Sequence, residues 1–122
     1  MKKNFLLFFA LNGALCCLLG AFGSHALKST LSTTMFQTYQ TAVQYHFYHT
    51  LALGLACVFY LNKANSWLRT SMVGFSLGIV FFCGSLYILA LTGIKVLGWL
   101  TPIGGLMFIC SWLALATGLS KT

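Results

Sequence analysis

The 122-residue sequence contains no aspartate and no glutamate. Their absence excludes chemistry that needs side-chain carboxylates: acid–base carboxylate pairs, Ser-His-Asp triads, carboxylate cages for Mg²⁺ or Ca²⁺, and carboxylate-based proton coupling. Charged residues make up only 6% of the chain, against roughly 25% in a soluble domain. The basic residues do not form a patch but lie at the ends of apolar segments. The net charge of +7 therefore indicates a membrane protein that binds no nucleic acid.

The sequence consists largely of long apolar segments, since hydrophobic residues make up 59% of the chain. A helix needs about 20 apolar residues to span a bilayer. The sequence therefore predicts an all-α, integral-membrane four-helix bundle, a single domain over residues 1–122. The predicted spans are residues 4–22, 42–61, 70–91 and 102–119.

The N-terminal segment also resembles a signal peptide, because Lys2 and Lys3 precede an apolar run that ends at Ser24-His25-Ala26. Three further spans follow, so we expect an uncleaved first span. With four spans, both termini and the middle loop share one side of the membrane. That side holds five basic residues and the other side two, so the positive-inside rule predicts cytoplasmic N and C termini. The five are Lys2, Lys3, Lys63, Arg69 and Lys121, and the two are Lys28 and Lys95.

Small residues four positions apart predict where helices approach one another. Ala10 and Ala14 form such a pair in the first span, and Gly74 and Gly78 form one in the third. Thr101 followed by Pro102 is typical of a helix start, with a hydroxyl N-cap before a proline. The five cysteines lie inside apolar runs without a CxxC pair, so we interpret them as packing residues.

The second segment is longer than a membrane is thick. Residues 35–61 would form a helix of about 40 Å, whereas the hydrocarbon core measures about 30 Å. We expect the part before Ala42 to project from the membrane or to bend along its surface. Ala42, His46, His49 and Leu53 share one helix face, while Gln37, Gln44 and Tyr48 lie opposite. The outer half of this helix must then be surrounded by the other helices or meet a second subunit.

The same depth estimate, applied to each span, predicts a polar layer in the outer part of the membrane. This layer is the candidate polar or binding layer of the protein. Its residues are His25, Gln44, Tyr45, His46, His49, Ser85, Tyr87, Gly104 and Gly105.

Three interpretations of this layer remain open. In the first, the layer is a structural network whose bonds fix helix packing. In the second, it is a binding or permeation site for a small solute, lipid or ion. In the third, it is a metal or haem site built from His46, His49 and His25. The third lacks an acidic second shell to orient the rings. Two histidines on one helix face also cannot supply haem ligands from opposite sides. We therefore predict no metal, no cofactor and no catalytic residue.

Four motifs carry a family resemblance: GAFGSHALK (20–28), TAVQYHFYHTLALG (41–54), FCGSLYILALTG (82–93) and LGWLTPIGGLMFICSW (97–112). Together they resemble the small YgdD/YwdK family, to which animal transmembrane protein 256 looks related. The family pattern commonly reads GAFGAHGLK at the first motif, where this chain has Ser24 and Ala26. The resemblance implies a four-helix protein of the bacterial inner (plasma) membrane, without an activity, cofactor or substrate.

These observations predict a non-enzymatic structural or accessory module in the membrane. The expected partners are the lipid bilayer and a second copy or another membrane protein. The alternative is a transporter or channel for a small solute or ion. That alternative requires an oligomer, because a single copy is too small to enclose a wide pore.

Overall fold

In the computed structural model, which describes residues 1–122, the chain is entirely helical. Four long helical segments run back and forth, and π or 3₁₀ turns extend three of them. The two π turns lie within continuous helical segments: one continues the first helix, and the other joins the third and fourth helices without a loop. The elements in chain order are α1 (Lys2–Phe22) with a π turn (Gly23–Leu27), α2 (Thr33–Asn62), α3 (Ser66–Gly78) joined through a π turn (Ile79–Cys83) to α4 (Gly84–Thr92), and a 3₁₀ turn (Lys95–Trp99) leading into α5 (Leu100–Ser120).

Side-chain caps fix the starts of the two helices that follow loops. Ser32 accepts a hydrogen bond from the Met35 amide at 3.2 Å and begins α2. Asn65 accepts one from the Leu68 amide at 2.9 Å and begins α3. The Asn65 amide group also donates to the carbonyl of Gly118 at 3.2 Å. The loop between α2 and α3 is thereby tied to the last turn of α5.

Both termini lie at the same end of the bundle as that loop. The Lys63 ammonium donates to the Thr122 carbonyl at 3.2 Å, which places the C-terminus beside the loop. The Lys2 ammonium lies 5.7 Å from the centre of the Tyr60 ring near the end of α2. The N-terminus is therefore at this end as well, as four antiparallel helices require.

Three helical segments are long and apolar enough to cross a membrane: Lys2–Leu27, Ser66–Thr92 and Lys95–Ser120. α2 is not among them, although it is the longest single helix. Its 30 residues extend about 45 Å, but His46, His49 and Gln44 make it more polar than the others. The helix runs unbroken from Thr33, so the alternative of a bend before Ala42 is wrong.

The helices pack with α2 in the middle. α1 contacts α2 on one side, α3 and α4 contact it on the other, and α5 packs mainly on α3 and the second π turn. The main core lies where α2, α3, this π turn and α5 meet. Its most deeply buried side chains include Leu53, Leu68, Met72, Phe75 and Cys83. α1 lies at the edge and leaves most of its surface to the surroundings, since only 11% of its most apolar stretch is buried.

Gly74 and Gly78, the small pair noted in the third predicted span, face α5. A Cβ atom on Gly78 would lie 2.5 Å from the Phe108 ring, and one on Gly74 would overlap the Ser111 hydroxyl. The absence of side chains at these positions lets the two helices approach closely.

Ala10 and Ala14 are both exposed, so no other helix of this chain packs against them. α1 meets α2 through other residues along its length, among them Phe9, whose ring lies against Gly54, and the turn at its C-terminal end. The Tyr39 ring lies directly under Gly23, where a Cβ would overlap it. The Tyr39 hydroxyl donates to the Leu19 carbonyl. This contact lies at the first π turn, so the turn and the tyrosine join the C-terminal end of α1 to α2.

Candidate functional site

A chain of hydrogen bonds joins three helices through the side chains of Asn12, His46 and Tyr87. His46 of α2 lies between the other two. Its Nδ1 is 2.9 Å from the hydroxyl oxygen of Tyr87 on α4. Its Nε2 is 2.8 Å from Oδ1 of Asn12 on α1. His46 and Asn12 are buried between the helices, at 2% and 8% exposed, and Tyr87 is half-buried.

The orientation of Asn12 determines the direction of each bond. Its Nδ2 donates to the Phe8 carbonyl at 2.9 Å, which leaves Oδ1 to face His46 as an acceptor. The His46 Nε2–H then donates to Asn12, and Nδ1 accepts from the Tyr87 hydroxyl. A neutral imidazole therefore satisfies every bond in the network without a counter-charge, which suits a chain with no carboxylate side chains.

A second polar contact joins α4 to α5. The Ser85 hydroxyl donates to the Phe82 carbonyl at 2.9 Å and lies 2.7 Å from the Thr101 hydroxyl. The prediction that Thr101 caps α5 is wrong. The helix begins at Leu100, directly after the 3₁₀ turn, and has no side-chain cap. Gly104 is one turn further on, where a Cβ would lie 2.7 Å from the Phe82 Cα.

His49 occupies a separate aromatic environment on the α3–α5 side of α2. Its ring stacks on Phe108 with centroids 3.5 Å apart and on Tyr45 at 5.7 Å. Phe75 and Trp112 contact its edges. Its Nδ1 donates to the Tyr45 carbonyl at 2.7 Å. The two histidines therefore contact different helices and do not form one site.

The remaining predicted residues lie outside both contacts. His25, in the first π turn, is exposed and makes no side-chain hydrogen bond. Gln44 donates to Tyr48 at 2.7 Å on the exposed side of α2 and lines a cavity of about 480 Å³ near the end of α1. Gly105 lies 3.8 Å from the Phe82 ring, an ordinary contact distance. The members of the predicted layer therefore fall into separate groups of contacts.

The metal interpretation required His25, His46 and His49 to come together, and they do not. His25 is exposed, whereas the other two are buried against different neighbouring helices. No group of three or more His, Cys, Asp or Glu side chains is placed to hold a metal ion.

Sequence reasoning missed Asn12, although a signal was available. It is the only amide or ionisable side chain in the apolar run from Phe5 to Phe22, apart from the cysteines. The depth estimate did not include Asn12, because it lies ten residues after Lys2, about 15 Å along the helix and so near the middle of the predicted span. That depth lies outside the predicted outer layer.

A crevice of about 320 Å³ opens beside this three-residue network, between α1 and the segment formed by α3, its π turn and α4. Asn12, His46 and Tyr87 all line it. Its other walls are apolar or small side chains. These are Phe8, Leu15, Leu19, Ile79, Val80, Cys83 and Gly84.

The long apolar helices and the neutral buried network define the class: this is an all-helical membrane protein. The family model described as "Protein of unknown function (DUF423)" matches residues 19–105. The chain is 42% identical over 122 residues to the UPF0382 membrane protein YwdK of Bacillus subtilis, covering 98% of each chain. It is 39% identical over 120 residues to the UPF0382 inner membrane protein YgdD of Escherichia coli K12, covering 97% of this chain and 91% of that one. It is 38% identical over 122 residues to a UPF0382 membrane protein of Haemophilus influenzae, covering 100% and 98%.

The chain therefore belongs to the DUF423 (UPF0382) family of membrane proteins. The resemblance to YgdD and YwdK noted from the four motifs is confirmed. Its location is the bacterial inner, or plasma, membrane. No solved structure matches the chain.

Proposed function

We propose that this protein is a non-enzymatic structural or accessory module of the inner membrane. The observation that supports this function best is the network through Asn12, His46 and Tyr87, which links α1, α2 and α4. α1 has little other attachment to α4. A buried polar network that is fully hydrogen-bonded rigidifies a packing arrangement, and here it specifies how the edge helix α1 sits against the rest.

The state of the buried polar groups supports a structural role over a catalytic one. Both ring nitrogens of His46 are engaged within the chain. The Ser85 hydroxyl is engaged with Phe82 and Thr101. A nucleophile needs an adjacent general base that a third group orients, and neither serine nor cysteine has such a partner among these side chains.

We propose further that all four long helices cross the membrane, with both termini in the cytoplasm. The polar outer half of α2 is compatible with a span because its histidines are buried among the other helices. Both termini and the loop after α2 lie at one end of the bundle. Five of the seven basic residues belong to that end, which favours the cytoplasmic side.

Reporter fusions test this topology. Green fluorescent protein fused after Thr122 is expected to fluoresce, because it folds in the cytoplasm, while alkaline phosphatase at the same position is expected to be inactive. Alkaline phosphatase inserted after Gly93, in the connection between α4 and α5, is expected to be active. Active phosphatase at the C-terminus would contradict the proposed orientation, and a cytoplasmic reporter signal at Gly93 would contradict four spans.

One observation favours the alternative of an oligomeric transporter or channel. The crevice beside His46 is open to the outside of the bundle, so a second copy placed against α1 would enclose it. Flux of protons and alkali cations into proteoliposomes tests this alternative. We expect no flux above that of protein-free liposomes. Flux that is lost in folded His46→Ala protein, but retained in His49→Ala protein, would replace the structural function with transport through the crevice.

A further inference from the structure

Arg69 is the only arginine of the chain, and it lies one turn into α3, at the end of the bundle that holds both termini. Its side chain is exposed, and the sequence has no acidic side chain that could pair with it. A guanidinium presents five N–H donors in a planar fork that matches the oxygens of a phosphate group. An anionic partner for Arg69 would therefore come from outside the side chains of this protein.

A cavity of about 430 Å³ opens beside Arg69 along the first turns of α3. Its lining residues are Ser66, Arg69, Thr70, Val73 and Gly74. The Ser66 and Thr70 side chains are exposed, and their hydroxyls are able to donate to phosphate oxygens as the guanidinium does. The predicted third span begins at Thr70, so these three donors lie where the helix enters the membrane. The cavity therefore has the donors of an anion site at the membrane surface.

A second cavity, of about 310 Å³, continues from the first into the membrane, and the two share Thr70 and Gly74. It is a groove between α3 and α5, and its α5 wall consists of Ile103, Leu106, Met107, Cys110 and Ser111. Met107 and Cys110 lie about 15–20 Å before the end of α5 at Ser120. That depth is near the middle of a hydrocarbon core about 30 Å thick. The two cavities together therefore extend from the membrane surface to its middle, which is the depth of one lipid leaflet.

We propose that the two joined cavities bind one phospholipid with a net negative headgroup. Its phosphate accepts hydrogen bonds from Arg69, Ser66 and Thr70, and one acyl chain lies in the groove between α3 and α5. Basic pockets between membrane helices on the cytoplasmic side bind anionic lipid headgroups. A phosphatidylcholine headgroup adds a cation that no side chain here could neutralise, whereas phosphatidylglycerol carries the phosphate charge alone. The inference goes beyond the structural function, since a scaffold needs no particular lipid, and only its assignment to the cytoplasmic leaflet rests on the proposed topology.

Native mass spectrometry of the full-length protein released from detergent micelles tests the proposal independently of topology. The probes are dioleoyl phosphatidylglycerol, dioleoyl phosphatidylcholine, dioleoylglycerol, which has no phosphate, and glycerol 3-phosphate, which has no acyl chains. We expect a single equivalent of phosphatidylglycerol to bind about fivefold or more tightly than the other two lipids, and glycerol 3-phosphate not to bind at the same concentration. Equal binding of the three lipids would show that bulk lipid fills the groove, and glycerol 3-phosphate binding as tightly as phosphatidylglycerol would show a site for free phosphate. Either result overturns the proposal.

Two substitutions that remove one positive charge each test the headgroup contact. Arg69→Gln removes the charge that lines the cavity. Lys121→Gln is the matched control, because Lys121 is exposed at the same end of the bundle and lines neither cavity. We expect Arg69→Gln to bind phosphatidylglycerol and phosphatidylcholine about equally, while Lys121→Gln keeps the preference of about fivefold. Equal preferences in the two variants would show that net charge, and not this site, selects the lipid, and would overturn the proposal.

Two substitutions of exposed cysteines test the acyl-chain contact. Cys110→Phe places a ring in the groove from the exposed side of α5. Cys17→Phe is the control, because Cys17 is exposed on α1 and lines neither cavity. We expect Cys110→Phe to weaken phosphatidylglycerol binding about tenfold or more, while Cys17→Phe binds as the unmodified protein does. Equal binding by the two folded variants overturns the proposal, and the comparison of Arg69→Gln with Lys121→Gln decides it if Cys110→Phe does not fold.

Discussion

His46→Leu is expected to lower the free energy of unfolding by about 2–4 kcal/mol. Leucine fills much of the space of the imidazole but makes no hydrogen bond. The substitution leaves two groups without partners, the buried Asn12 carbonyl oxygen and the half-buried Tyr87 hydroxyl. Each unsatisfied buried group costs about 1–3 kcal/mol, and values measured within membranes lie at the lower end of such ranges.

The measurement is reversible unfolding in mixed micelles, followed by circular dichroism as a denaturing detergent is added. His25→Leu is the matched control, because His25 is exposed and makes no side-chain hydrogen bond. We expect this control to change stability by less than about 0.5 kcal/mol. Equal effects of the two substitutions would show that the buried network does not contribute to stability.

Gly104→Ala is expected to destabilise the protein by about 1–3 kcal/mol, although it adds only one methyl group. A Cβ at this position would lie 2.7 Å from the Phe82 Cα in the second π turn. The obstacle is backbone, which cannot rotate away as a side chain can. α5 would have to move off the π turn, and the contact between Ser85 and Thr101 would be stretched with it.

Gly105→Ala is the control for this prediction, and it differs by one position only. A Cβ on Gly105 would lie 3.8 Å from the Phe82 ring, which is a normal contact. Since alanine favours a helix over glycine by roughly 0.5–1 kcal/mol, Gly105→Ala is expected to be neutral or slightly stabilising. Thermal unfolding of both variants gives the comparison. Similar losses at the two positions would contradict the close approach of α5 to Phe82.

Much of the fold could be predicted from the sequence because apolar segment length is a direct physical requirement of the bilayer. The helices from Lys2, Ser66 and Leu100 lie close to the predicted spans, with extensions of a few residues. The π turns at Gly23–Leu27 and Ile79–Cys83 were not predicted. They depend on one extra residue within a helical turn, which leaves no distinct pattern in apolar spacing.

The candidate site was predicted less completely, because depth along a helix does not specify which neighbour a side chain meets. His46 and His49 share a broad face of α2, yet one contacts α1 and α4 and the other contacts α5. Gly74 and Gly78 lie close to α5, whereas Ala10 and Ala14 have the same spacing and are exposed. Four-residue spacing therefore identifies a face where helices are able to approach, and the tertiary arrangement determines whether one does.

The coupling free energy between His46 and Tyr87 tests most directly whether the buried network holds the helices together. It is obtained by measuring the stability of His46→Leu, Tyr87→Phe and the double variant in the same micelles. Tyr87→Phe keeps the ring and removes only the hydroxyl that donates to His46. We expect a coupling of about 0.6–1.7 kcal/mol, because each single substitution removes the same bond. Additive effects, with a coupling near zero, would contradict the central role of the network.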